Sequence, residues 1–314
     1  MARIALKIDA DTLRGTNEGV PNLVSALQSA GVTATFLFSL GPDHTGRAIA
    51  RVFRPGFLSK VSRTSVVSNY GVRTLLYGTV LPGPDIGRRE ADTLRAVRDA
   101  GFEVGIHCWD HVSWQDRLRG RSDAWATQQM SRAAARFQEV FGEVARVHGA
   151  AGWQFHDGAA RAESVLGIDC ASDTRGEGPF QPIGEDGADI GPVQLPTTLP
   201  TLDELIGSEG WTEANVHEHV LTQTRALCTD QVFTLHAELE GMQWMGALLR
   251  LIDGWQRQGH TFVTLGQMRA DLRTDSLPRA RIVQGSVPGR SGQLAVQGPV
   301  AARRKLENDL VGSS

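Results

Sequence analysis

The chain has 314 residues, enough for one large domain or two, and 41% of them are hydrophobic, the proportion of an ordinary packed core. A formal net charge of −3 argues against a general nucleic-acid binder, and Cys108, Cys170 and Cys228 show no Cys-x-x-Cys spacing and suggest no disulfide framework. No apolar run approaches the roughly 18 residues of a membrane-spanning helix, and residues 1–5 run into a strand without the apolar core of a signal peptide, so the expectation is a cytoplasmic protein.

The first element is an apolar strand at 3–9, which delivers Asp9 and, two residues on, Asp11. Side-chain direction alternates along a strand, so these two carboxylates point the same way. Val20, Leu23, Val24 and Leu27 then share a helical face, with Pro21 near its start and Gly31 beyond its end. A strand at 33–38 follows. Residues 46–84 interrupt the rhythm: Arg47, Arg51, Arg54, Lys60, Arg63 and Arg73 occur without a single Asp or Glu, interleaved with apolar residues such as Phe53, Phe57, Leu75 and Tyr77. Pattern alone favours a solvated basic face over an ordinary core; the competing reading is a segment lying in a membrane interface.

A helix at about 88–100 ends at Gly101, and 101–106 reads as a short strand that delivers His107. His107 and His111, four apart, fit one face of a helical turn, on which Cys108 would point about 100° away. Further helices are expected near 123–141, 157–166, 213–228 and 242–258, and strands near 146–150, 168–172, 193–196, 231–236 and 260–264. Repeated strand-then-helix order implies an α/β fold, a parallel sheet closed into a distorted (β/α) barrel over residues 1–273. Residues 274–314, rich in Gly, Pro, Ser, Gln and Arg, read as a disordered tail.

Asp9, Asp11, His107 and His111 all follow strands, where α/β sheets and barrels carry their chemistry. They can supply three metal ligands and one spare carboxylate, the inventory of a metal-assisted hydrolase with open positions for water and substrate. Spacing leaves open which aspartate is the ligand. Asp110 either orients a ligand histidine or faces solvent. His44, His148, His156, His217, His219 and His260 lack a partner pattern and read as structural or exposed.

These motifs, together with Thr234-Leu235-His236-Ala237-Glu238, resemble the metal-dependent polysaccharide deacetylases that carry the NodB homology domain. Within that family the chain looks most like the branch that deformylates 4-deoxy-4-formamido-L-arabinose-phosphoundecaprenol in lipid A modification. Lys7-Ile8-Asp9-Ala10-Asp11-Thr12, Phe38-Ser39-Leu40-Gly41-Pro42-Asp43, Ala150-Ala151-Gly152-Trp153, Ser172-Asp173 and Leu195-Pro196-Thr197-Thr198-Leu199-Pro200-Thr201 carry that match, within about residues 3 to 272.

The resemblance implies a distorted (β/α) barrel of the NodB type. It also implies a divalent ion held by Asp11, His107 and His111, with zinc expected and cobalt, nickel or manganese compatible with such donors. Asp9 is then the base and His236 the acid that protonates the departing amine. Trp153, Asp173 and Arg175 belong near the site; Asp173 either steers His236 or caps a loop. The implied products are formate and an amino sugar linked to undecaprenyl phosphate, in a pathway of cationic antimicrobial peptide resistance. No protein partner is implied. A lipid-linked substrate places the protein on the inner face of the cytoplasmic membrane and turns 46–84, with Arg47, Arg51 and Arg54, into a candidate dock for an anionic surface. The chain departs from the family in two places: Ala10 separates the aspartates, and Ala150-Ala151-Gly152-Trp153 has no arginine. Lys7 and Arg175 are the candidates to steady the base. Two other functions remain: an N-deacetylase of another amino sugar or soluble glycan, and a non-catalytic carbohydrate- or lipid-binding barrel, against which the intact Asp and His set argues.

Overall fold

The computed structural model describes residues 2–52 and 71–301, with side chains described outside 49–52. Eight strands form a parallel sheet: β1 (Arg3–Ala10), β2 (Thr35–Ser39), β3 (Glu103–Cys108), β4 (Val147–His148), β5 (Cys170–Ala171), β7 (Val193–Gln194), β8 (Gln231–His236) and β9 (Thr261–Val263). Their order is β7-β5-β4-β3-β2-β1-β8, with β9 pairing residues 3–5 of β1. The chain closes the gap between β7 and β8 without a regular strand, since the amides of Thr198 and Leu199 both donate to the Val232 carbonyl at 3.1 and 3.3 Å. The result is the expected distorted parallel barrel.

Alternation along the strands sorts side chains into two populations. Ile4, Leu6 and Ile8 of β1, Phe36 and Phe38 of β2, and Phe233 and Leu235 of β8 face outward into one buried cluster with Leu23, Leu94, Phe137, Leu251 and Trp255 from the surrounding helices. Ala5, Leu37, Val147, Cys170, Val193 and Val232 face inward and fill the barrel floor with Leu265 and Met268. Above that floor the inward positions turn polar. Lys7 lies opposite Thr234, and Asp9 opposite His236, so the register of β1 and β8 stacks charged groups at the carboxyl ends of the strands.

Two expectations change here. His107 and His111 do not share a helical turn: His107 ends β3, and His111 opens the helix His111–Arg117 after a bend at 109–110. Cys108 is indeed turned away, but because strand neighbours face opposite sides, and it lies 3.2 Å from the Ser39 hydroxyl. The tail expected from 274 is ordered through 301. β10 (Arg279–Gly285) and β11 (Leu294–Val300) form a hairpin, and β10 pairs in parallel with β6 (Gln181–Pro182) in a separate three-stranded sheet. Ala280 and Ile282, which alternate along β10, and the adjacent Leu294 and Ala295 at the start of β11 are buried by this pairing. Residues 302–314 lie outside the described residues.

Candidate active site

At the carboxyl ends of the strands a cavity of about 140 Å³ is lined by Asp9, Asp11, His107, His111, Trp153, Asp203, His236 and Arg290, among others. Asp11, His107 and His111 bring one ligand atom each within 4.8 Å of one another. Nε2 of His107 stands 3.1 Å from Asp11 Oδ1, and Nε2 of His111 stands 3.4 Å from Asp11 Oδ2. A tetrahedral ion with bonds near 2.0–2.1 Å separates its donors by roughly 3.3 Å, so this spacing fits a shared metal ion. Asp11 Oδ1 is buried without a hydrogen-bond partner, as a ligand oxygen would be before its ion arrives. Burial would raise the Asp11 carboxyl, but the adjacent His111 and the hydrogen bond from His107 hold it below the usual range, so it offers an anionic ligand. Burial lowers the His111 imidazole and favours the neutral ring that ligation needs.

Each of these groups is held from behind. The Nδ1–H of His107 donates to the Gly149 carbonyl at 2.7 Å, which leaves Nε2 facing Asp11. A Cβ at Gly149 would stand 2.5 Å from Leu37 and 2.9 Å from Lys7, so only glycine lets this carbonyl come so close. Asp110 caps the helix that His111 opens, accepting from the Ser113 amide at 3.0 Å and from His44 Nδ1 at 2.7 Å. That settles Asp110 as a buried group that positions His111, and gives His44 a partner. Glu238 accepts from the amides of Asp11 and Thr12 and from the Thr12 hydroxyl at 2.8–3.0 Å, fixing the turn that carries Asp11. Burial and the Asp11 charge push the Glu238 carboxyl up to about 8. Gly15 is required beside it, because a Cβ there would come within 2.0 Å of Glu238.

Asp9 faces Lys7, whose ammonium stands 3.2 Å from Asp9 Oδ2 with both side chains buried. Of the two candidates to steady this carboxylate, Lys7 is the one in contact. Arg175 instead pairs with Glu204 and donates to the Leu199 carbonyl at 3.2 Å. It thereby secures the segment that presents Asp203. Asp173 contacts His148, the Ala150 amide and Gln194, not His236, so of its two readings the loop-capping one matches its contacts. Asp203, on the short helix Leu202–Leu205, lines the cavity with His236 and is the strongest favourable charge on it, and Glu240 accepts from the His236 amide at 2.7 Å. Burial opposes a charged His236, yet Asp203, Asp11 and Glu240 together raise its pKa above the ordinary value.

Trp153 lines the cavity with its ring edge toward His236 at 6.3 Å. Three cations surround that indole: Lys7 at 5.3 Å, Arg175 at 5.2 Å and Arg290 at 4.8 Å from its centroid. Trp153 is also held at a φ of 50°, a left-handed conformation unusual for a bulky residue and typical of constrained sites. Arg290 and Asp203 are the two charged cavity residues that sequence reasoning overlooked. Arg290 sits between β10 and β11 and pairs with Asp203 at 2.8 Å, so the supposed tail completes one wall of the site. A sequence sign for Asp203 existed, because Thr201 and Glu204 form a capping box around it.

Arg47 donates from Nε to the Gly78 carbonyl at 2.8 Å and is tied to the turn at 77–80; the Arg51 side chain and Arg54 lie outside what is described. A second cavity of about 320 Å³, lined by Leu13, Arg14, Val72, Arg73 and Tyr77 among others, begins only two residues beyond Asp11.

The polysaccharide deacetylase family model matches residues 2–171. A protein of Shewanella sediminis named "Probable 4-deoxy-4-formamido-L-arabinose-phosphoundecaprenol deformylase ArnD" is 32% identical over 97% of this chain and 98% of its own length. A protein of the same name from Wigglesworthia glossinidia brevipalpis is 29% identical over 90% of this chain and 98% of its own. In fold, the chain is similar to a solved Mycobacterium smegmatis structure assigned to the polysaccharide deacetylases, with a TM-score of 0.62 at 16% identity over 91% of this chain and 95% of that one. A PuuE allantoinase structure gives a TM-score of 0.58 at 16% identity, over 86% of this chain and 90% of that one. With the parallel barrel and the Asp and His cavity described above, these likenesses establish that the chain belongs to the polysaccharide deacetylase family and is a hydrolase of amide bonds.

Proposed function

We propose that the protein removes formyl from a 4-formamido-arabinose linked to undecaprenyl phosphate, releasing formate and the amino sugar used to modify lipid A and resist cationic antimicrobial peptides. The observation that carries this reading is the set Asp9, Asp11, His107, His111 and His236 around one cavity, in a chain similar over 97% and 90% of its length to relatives named for that reaction. The test is incubation of the purified protein with formamido- and acetamido-sugar lipids. Formate from the first without acetate from the second supports the reading; acetate as the main product would assign an N-deacetylase instead.

Asp11, His107 and His111 would hold a divalent ion, zinc, cobalt, nickel or manganese all suiting these donors, and when bound it would polarise the amide carbonyl and activate water. Asp9, outside that ligand set, accepts a proton from the attacking water. Lys7 keeps the Asp9 carboxylate aimed at the cavity, and the pair stays buried because each charge neutralises the other. His236 gives its proton to the amide nitrogen, which leaves as an amine only once protonated. Trp153 walls the reacting centre from bulk water.

The raised His236 pKa has a consequence for pH dependence. An acid must carry its proton at the reaction pH, so activity declines as pH rises through the His236 pKa. Asp203 is the largest favourable cause of the upward shift. Asp203→Asn should therefore move the alkaline limb of the kcat profile to lower pH. A limb that stays in place would remove Asp203 from this role.

The lipid reading is supported by the surface around 71–83. Val72, Leu76 and Val80 are 64%, 36% and 77% exposed, three of the seven most exposed large apolar side chains among the described residues. Val72 lines the cavity with Arg14 and Arg73, where Glu18 pairs with Arg14 at 3.1 Å, and Leu76 and Val80 follow it in the chain, so cations and apolar side chains stand near one another as a prenyl phosphate requires. We place the membrane contact here rather than on Arg47. Val72→Asp with Val80→Asp should weaken binding to anionic vesicles and slow turnover of the lipid substrate, with a much smaller effect on a water-soluble analogue. Parent-like vesicle binding would return the insertion to an ordinary solvated face.

A further inference from the structure

Behind the ligand histidines lies a second buried group of titratable side chains that the reaction does not use. His148, at the end of β4, is 2% exposed, and Glu163 and Asp173 are fully buried beside it. The His148 Nδ1–H donates to Asp173 Oδ1 at 2.8 Å, while Glu163 Oε1 stands 2.7 Å from the same nitrogen. These are hydrogen-bond lengths, shorter than the roughly 3.3 Å that a tetrahedral ion imposes between its donors, and unlike the spacing around Asp11. The group therefore reads as a proton-holding cluster and not as a second metal site. One ring nitrogen has one proton to give, so two ionised carboxylates cannot both be satisfied by it. Burial and the Asp173 charge push Glu163 well above the usual carboxylate range, which leaves it neutral. Against the cost of burial, Asp173 raises His148 to about 10, so His148 and Asp173 form the ion pair.

Asp173 reaches further than its partner. Its Oδ1 also accepts from the Ala150 amide at 2.8 Å, and its Oδ2 accepts from Gln194 Nε2 at 2.7 Å. Ala150 is the neighbour of Gly149, whose carbonyl receives the His107 Nδ1–H. The same turn continues into Gly152 and Trp153, both left-handed, which need an anchor to persist.

We infer that the His148–Asp173–Glu163 cluster is a positioning group that pins the 149–153 turn, so that the Gly149 carbonyl holds His107 with Nε2 toward Asp11. The inference rests on the reading of His107 as a metal ligand. Asp173→Asn must turn an NH2 toward a donor, either Gln194 Nε2 or the Ala150 amide and His148, and so loosens the turn while preserving volume.

The test is chelator-competition titration of the purified full chain with zinc alone, with circular dichroism on the same samples. Asp173→Asn should weaken zinc binding by about 10–100-fold, the usual cost of losing a group that orients a ligand, and still take up one ion at saturation. Parent affinity in a folded Asp173→Asn protein overturns the inference. Should that variant not fold, Glu163→Gln and Glu163→Leu replace it. Gln, neutral and polar like the protonated acid, should bind zinc at least tenfold more tightly than Leu does; equal affinities overturn the inference. Two ions in the parent and one in Asp173→Asn would make the cluster a second metal site, which also overturns it. His107→Ala in the same assay isolates the underlying reading, because parent affinity there removes His107 from the ligand set whatever Asp173 does.

Discussion

Replacing both His107 and His111 by Ala is expected to leave the protein folded, without its metal ion and without measurable turnover. Two of the three converging ligand atoms vanish, and a single carboxylate cannot retain a divalent ion against water. Polarisation of the carbonyl by a bound ion is worth several kcal/mol, so the rate should fall by roughly 10³-fold or more. Neither ring supports the fold through apolar packing alone: His111 opens a helix already capped by Asp110, and His107 donates one hydrogen bond to Gly149. Metal analysis of the purified variant reads the outcome, and full metal content would dismiss this ligand set.

The second large effect separates proton transfer from metal binding. Asp9→Asn and His236→Ala should each slow turnover by roughly 10² or more, the usual scale of acid–base catalysis, while the ion stays bound. The two variants should differ in stability. Asp9 compensates the buried ammonium of Lys7, so Asp9→Asn leaves a buried charge without its counter-ion, a loss on the order of 3–5 kcal/mol in other proteins. Thermal melts should show Asp9→Asn unfolding well below the parent, with His236→Ala closer to it. Turnover at the parent rate in either variant would withdraw that residue's role.

Sequence reasoning located the parts that obey a short period. Asp9 and Asp11 follow an apolar strand, His107 ends another, and both arrive at one end of the barrel because parallel strands deliver their carboxyl ends to one face. What it missed depends on contacts far apart in the chain. Asp173 looked like a partner for His236, yet its partner is His148, and the two meet only because β4 and β5 are neighbours in the sheet. Lys7 and Asp9 share a face of β1 by simple alternation, but nothing in the sequence showed that Arg175 is engaged elsewhere, by Glu204. Arg290 was concealed by composition: Gly, Pro and Gln around it suggested disorder, whereas Ala280, Ile282, Leu294 and Ala295 bury the hairpin against β6 and carry the arginine to Asp203.

The most direct measurement follows formate from the undecaprenyl-linked formamido sugar as a divalent ion is returned to metal-stripped protein. Release should be negligible in the stripped protein and climb to a plateau at one equivalent of ion per chain, because Asp11, His107 and His111 form one ion-sized site. Formate released at the full rate from stripped protein would contradict the account at its centre.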